Sequence, residues 1–555
     1  MGKKLQNYQL AVIVVWMLFT FWLWSTPYQE NRMPYGEFDA ISHWEVGDYM
    51  ATTNKPILFL PDYISLRYGG DNAFKANTLW YHPPYHTNFA VLESVGGDRI
   101  LPTYMMNTIL SIAFVLILFF IMNDLFGFYA GIGTAILASF SPRDYMVYLW
   151  GQWPERISYA FVGLNLLIFY FYVNSYLEKR EEKKYLLLLG IFLAVTMYLH
   201  PMGFFHSIAA LGVFGILLLI KEKKLPFSFK TASFAAVIFL VLITIFPYQT
   251  GSVVVQLFTK GSESGTAAQA NSPDYGRLFY WFKEPDRNVG VPSSYFSFSY
   301  MNGLWTLPFL IIGIIFCLML RKRKHLMMLA WLISLYIVIH ADVIGKGPFV
   351  HRSLSATAHI FIPLTVIGFY YLIMFSSKLK IKKFAMPTLV AIFLIFAIMF
   401  NAKTAVYGLK EGNTMVVSPL PLAYDGLARM NQAQYNAADW ILKNVPPNEN
   451  ITDVGVLDLK RARWIAGVSQ HINIPYAPET QFFPTRANMT NYVLVDYSDI
   501  KYVANQDTIN YFLQWEAALM SKDQLAYNKD DIHIYKVNKA ITDADLIIPQ
   551  NETAK

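Results

Sequence analysis

The chain has 555 residues, 55% of them hydrophobic and only 15% charged. Soluble globules of this length carry more charge, so composition excludes that class and points to a polytopic membrane protein. The net charge of +7 raises nucleic-acid binding as an option, but the basic residues cluster beside apolar runs, where membrane insertion and anionic lipid account for them; no nucleic-acid partner is expected.

From the N-terminus, MGKK precedes an apolar stretch from about Leu10 to Trp24 with no small-residue cleavage site before Pro27, so an uncleaved first span is expected. A spanning helix needs roughly 20 mostly apolar residues, and about eleven segments approach that length. They run over 9–24, 102–122, 126–141, 157–177, 185–200, 204–220, 231–247, 303–320, 326–340, 354–375 and 385–401. Threaded in order, they place Lys3 and Lys4, EKREEKK at 178–184, KEKK at 221–224, RKRKH at 321–325 and the run from Lys378 to Lys383 on one side. By the positive-inside rule that side is cytoplasmic, which puts the C-terminal part outside the cell membrane. Cys317, the single cysteine, lies within an apolar run and permits no intrachain disulfide.

The outer connectors are then 25–101, 142–156, 248–302, 341–353 and everything after 402. The third holds GSESGTAAQANSPDYG followed by LFYWF, which reads as a flap loop able to close over a substrate. Beyond 402 the apolar runs shorten. AADWILKNVPP, RARWIAGVSQ and TINYFLQWEAALM read as helices, and ITDVGVL, NYVLVDYS and IHIYKV as strands. The expected architecture is a polytopic α-helical membrane domain over 1–401 and a small extracytoplasmic α/β domain over 402–555.

Candidate chemistry lies in the outer connectors. If the stretch after Phe38 is helical, Asp39 and His43 stand one turn apart on one face, where carboxylate and imidazole can share a metal ion or a proton; a solvated amphipathic helix accounts for the same spacing. LWYHPPYHTNF puts His82 and His86 among aromatics, as metal ligands, phosphate donors or plain interfacial packing. SPRDYMVYLWGQWPERIS offers Asp144, Glu155 and Arg156, set beside tryptophans of the kind that line membrane edges. His200 and Pro201 break a span at its outer end, with His206 slightly deeper. Lys346, His351 and Arg352 precede a span carrying His359, and an arginine there suits a phosphate or snorkels to headgroups. HExxH, GxSxG and GxxxxGK[ST] are all missing, so ATP-driven and serine-hydrolase readings lose support.

On these residues the chain resembles the GT-C superfamily of membrane glycosyltransferases. FDAISHW is similar to the oligosaccharyltransferase pattern of Asp followed four positions later by His, placing Asp39 and His43; YHPPYH resembles a stretch of the same loop and picks out His86; WGQWPERIS and YLHPMG also look like family segments. The resemblance implies a polyprenyl-phosphate-linked sugar as donor, membrane lipids as surroundings, and a glycan, lipid or protein hydroxyl as acceptor. It implies Asp39 as catalytic base or, with His43, as ligand of Mg or Mn, for which Glu37, Asp48 and Glu155 are further oxygen donors. Arg352, helped by His200 or Arg156, would meet the donor's phosphate. The WWDxG motif that reads an asparagine sequon is missing, RWIAG at 463–467 being the nearest string, so oligosaccharide transfer to asparagine is not expected. A transporter or flippase of a lipid-linked solute, or an assembly protein, would reuse the same residues without bond making.

Overall fold

A computed structural model describes residues 5–30, 32–36, 38–55, 61–65, 82–180, 183–251, 253, 303–340, 355–376, 385–402, 430–454, 459–475, 491–498 and 506–538. In chain order the helices are α1 (Asn7–Glu30), α2 (Phe38–Thr53), α3 (Asp62–Ser65), α4 (Pro84–Gly96), α5 (Leu101–Phe126), α6 (Phe128–Ser139), α7 (Pro142–Trp150) and α8 (Trp153–Leu177). They continue with α9 (Lys183–Leu199), α10 (Pro201–Glu222), α11 (Phe229–Ile243), α12 (Leu307–Leu320), α13 (Arg323–Ile339), α14 (Ser355–Ser376) and α15 (Ala385–Ala397). The remaining elements are α16 (Gln432–Asn444), β1 (Ile451–Val454), α17 (Leu459–Ser469), β2 (Asn473–Pro475), β3 (Tyr492–Asp496), α18 (Gln506–Lys522), β4 (Gln524–Lys529) and β5 (Ile532–Lys536).

Each expected apolar segment is helical, and α1, α5, α8, α10 and α14 are long and apolar enough to cross a membrane. Contacts divide the chain into two units, one of residues 1–30, 80–85 and 104–421, the other of 31–79, 86–103 and 422–555.

The first unit is a helical bundle whose breaks are written in the sequence. Ser141 caps α7, accepting from the Asp144 amide, with Pro142 in the first turn; Gly151, at φ 86°, ends it in the left-handed conformation, which glycine adopts without a Cβ penalty. Pro154 then helps start α8, so Glu155 and Arg156 sit in a helical first turn rather than in the expected connector. His200 caps α10 ahead of Pro201. α12 and α14 cross at backbone contact: a Cβ on Gly313 would meet the Leu364 carbonyl oxygen at 2.0 Å, and one on Gly368 the Phe309 oxygen at 1.9 Å. Such small-residue crossings are how helices pack closely in lipid, where the hydrophobic effect does not drive association. Cys317 on α12 is fully buried.

The second unit contains a five-stranded sheet in the order β2-β1-β3-β5-β4. β1 runs parallel to β2 and β3, while β5 runs antiparallel to β3 and β4. ITDVGVL, NYVLVDYS and IHIYKV each supply a strand; β2 and β4 were not foreseen, being respectively very short and mostly exposed. Asp530 and Asp531, at φ 55° and 62°, form the two-residue connection between β4 and β5, the signature of a type I′ hairpin. An Asn431–Gln434 capping box opens α16.

Candidate functional site

The second unit carries the aspartate and histidine first singled out. Asp39 lies in the first turn of α2, partly exposed, where the helix N-terminus favours a negative charge. One turn on, His43 is buried, and its Nδ1 lies 3.0 Å from Nε2 of His86, near the start of α4. One ring must donate and the other accept, so each imidazole fixes the other's tautomer. Burial, and then the neighbouring His43, hold His86 well below the ordinary histidine pKa. Gly47 brings α2 against α4, since a Cβ there would be 2.7 Å from that of Phe89.

Other α2 side chains are already committed. Asp48 receives Nε and a terminal nitrogen of Arg99, both at 2.7 Å, and Gln470 at 2.9 Å. Arg463 meets Glu45 at 3.1 Å and Ser42 at 3.2 Å. Trp464 donates to the Gly36 carbonyl at 3.2 Å and packs on Trp44, with centroids 5.5 Å apart. Among the described residues no three of His, Cys, Asp and Glu converge where a metal ion could be held; Glu37 lies outside them.

Glu93 on α4 is buried, with one oxygen accepting from Thr103. Its carboxyl is pushed up to about 9, first by burial and then by Asp48, against the pull of Arg99. The folded chain therefore keeps a proton that the unfolded chain releases above about 4.5, so this group's contribution to stability is complete below that value and is lost as pH rises toward about 9. Glu93→Gln should flatten the fall in melting temperature across that interval and melt higher than the parent near its alkaline end; an unchanged slope would count against a neutral Glu93.

In the first unit, Asp144 binds Arg156 through Oδ2, at 2.8 Å from Nε and 2.5 Å from a terminal nitrogen, and His359 Nε2 through Oδ1 at 3.1 Å. Burial alone would raise the Asp144 pKa, but Arg156 and then His359 outweigh it, and the net shift is downward. The other terminal nitrogen of Arg156 donates to Ser111 at 2.7 Å, and the guanidinium lies 4.4 Å from the Trp24 ring centroid. Arg156, read from the sequence as a phosphate ligand, thus has its charge met inside the protein. Glu155 accepts from Tyr159 at 2.8 Å. His200 Nδ1 accepts from the Met202 amide, which leaves the proton on Nε2, 4.0 Å from Glu155. His82 lies 3.0 Å from Thr250, its pKa lowered by burial to about 4.

Arg352, Lys346, His351 and the 254–302 portion of the flap loop lie outside the described residues. The partners of Arg156 were missed although Asp144 was in view: a buried guanidinium needs a counter-charge, and the nearest carboxylates along the chain were Glu155 and Asp144. Nothing local in sequence points to His359 or Ser111.

Residues 82–248 match the family described as dolichyl-phosphate-mannose-protein mannosyltransferase. No curated protein matches the chain by sequence. Among solved structures, the chain is similar to the oligosaccharyltransferase AglB of Archaeoglobus fulgidus in complex with an inhibitory peptide and a dolichol-phosphate, with 14% identity over 98% of this chain and 75% of that one at a TM-score of 0.54. It is similar to ArnT of Cupriavidus metallidurans bound to undecaprenyl phosphate, with 10% identity, 95% and 98% coverage and a TM-score of 0.55. It is also similar to the mycobacterial arabinofuranosyltransferase AftD, with 11% identity over 97% of this chain and 40% of that one, at 0.56. The chain is an integral membrane protein with the fold of the GT-C superfamily. Its segment 82–248 is similar in sequence to the protein mannosyltransferases.

Proposed function

We propose that the protein is a glycosyltransferase that moves a sugar from a polyprenyl-phosphate-linked donor to an acceptor hydroxyl on a glycan, lipid or protein at the outer face of the cell membrane. The observation that carries this reading is the sequence match over 82–248, whose description names a lipid-phosphate sugar donor. The full-length likeness to ArnT holding undecaprenyl phosphate supports it. The proposed topology has about eleven spans, the N-terminus cytoplasmic and the sheet-bearing region outside.

In this reading Asp39 accepts the proton of the acceptor hydroxyl as it attacks the anomeric carbon, or ligates Mg or Mn, while the His43–His86 pair orients the acceptor. The lipid phosphate leaves with the electrons of the broken glycosidic bond, and Arg352 meets its charge; the activated donor supplies the energy, so no nucleotide is consumed. The burial of Trp464 against Trp44 and Gly36 supports an acceptor other than an asparagine sequon, because the nearest counterpart of the sequon-reading motif is used internally.

Purified protein in liposomes, offered polyprenyl-phosphate mannose and then other polyprenyl-phosphate sugars, with and without a chelator, tests the proposal. Release of free polyprenyl phosphate coupled to acceptor glycosylation is expected with at least one donor. Loss of turnover in chelator alone would show that a divalent cation takes part, and donor movement across the bilayer without bond cleavage would replace the reading with a flippase.

A further inference from the structure

α2 has two faces. Asp39 and His43 lie on one, while Ser42, Glu45, Asp48 and Thr52 lie on the other at helical spacing. Polar contacts of the second face converge on one place, the helix α17 and the residue that follows it. Arg463 bonds Ser42 and Glu45, the Val468 carbonyl accepts from the Arg99 that grips Asp48, and Gln470 bonds Asp48 and Thr52 at 2.9 and 2.8 Å. Trp464 fixes the chain just before α2 through Gly36. Contact is close: a Cβ on Gly467 would stand 2.8 Å from Cγ of Glu45. Glu45 and Trp464 are fully buried and Arg463 nearly so, so this is a desolvated latch rather than a solvated surface pairing, and its geometry is held correspondingly firmly.

We infer that α17 is the positioning element of the catalytic helix: Arg463, Trp464 and Gly467 set where Asp39 and His43 stand, so the C-terminal region is part of the chemical apparatus and not an accessory. This rests on the reading of Asp39 as the reacting carboxylate. Arg463 and Trp464 are positioning residues, since each acts on α2 and not on substrate. A shift of about 1 Å in a reacting group can cost about 100-fold in rate, and the cost falls on the chemical step while donor binding, which this latch does not make, is spared.

The full-length protein in liposomes, assayed with whichever polyprenyl-phosphate sugar supports turnover, decides the matter. Arg463→Met keeps the stem and removes the charge. Because it strands the buried Glu45 carboxylate it should lower the melting temperature, and in the protein that remains folded it should lower kcat by about 10- to 100-fold while donor KM stays near that of the parent; the exchange Glu45→Arg with Arg463→Glu should restore a good part of both losses. Trp464→Phe, which keeps a ring but loses the bond to Gly36, should lower kcat in the same sense, and serves if Arg463→Met does not fold. Parental kcat in a folded Arg463→Met or Trp464→Phe variant overturns the inference, as does a loss that appears only in KM or scales with the unfolded fraction. With Asp39→Asn as control the two ideas separate: an inactive Asp39→Asn beside fully active latch variants sinks the positioning role alone, whereas an active Asp39→Asn sinks the assignment of the carboxylate itself.

Discussion

Replacing Asp39 by Asn, with membrane insertion intact, is expected to lower transfer from a polyprenyl-phosphate sugar by about 100- to 10,000-fold, the range by which a positioned proton acceptor accelerates a reaction. The amide keeps the size and the place of the side chain in the first turn of α2, but it neither accepts a proton nor offers a charged oxygen to a cation. Because Asp39 is partly exposed, the exchange should leave stability within about 0.5 kcal/mol of the parent, so lost turnover cannot be blamed on unfolding. Donor KM should be little altered, since the group acts on the acceptor. Turnover and melting curves measured on one preparation check both halves, and an Asp39→Asn protein transferring at the parental rate would move the proton acceptor elsewhere.

Asp144→Asn should instead strike stability. The Arg156 guanidinium and the Asp144 carboxylate are both buried, and removing one charge strands the other away from water. Breaking such a pair costs about 3–5 kcal/mol, whereas replacing both members together is often close to neutral. The double variant Asp144→Asn, Arg156→Met should therefore recover much of what the single one loses. His359 also forfeits a charged acceptor on Nε2, which adds to the single variant's deficit. Since Cys317 is the only thiol in the chain and is buried, a thiol-reactive fluorophore followed during heating reads unfolding directly. Equal melting points for Asp144→Asn and the parent would show that the pair is dispensable.

How much of this was legible in the sequence depended on range. The apolar runs that became helices, and the aspartate and histidine one turn apart on α2, are signals confined to a few helical turns, where length, period and capping residues act. α8 starts ahead of the expected span because Pro154, a residue type equally at home in a connector, here helps open the helix and brings Glu155 and Arg156 into it. Pairings such as Asp144 with His359, 215 residues apart, or Glu45 with Arg463, 418 apart, leave no local trace. Charge balance near a span could have suggested Asp144 for Arg156, but no periodicity in the 459–469 segment distinguishes a helix that grips α2 from one that merely covers the sheet.

The contact between Gly313 and Gly368 bears on motion. Where two backbones touch with no side chain between them, neither helix can roll about its own axis without driving its main chain into the other's carbonyl oxygens at Phe309 and Leu364. α12 and α14 must travel as a single stiff body, so any rearrangement of the bundle has to be absorbed at its other seams.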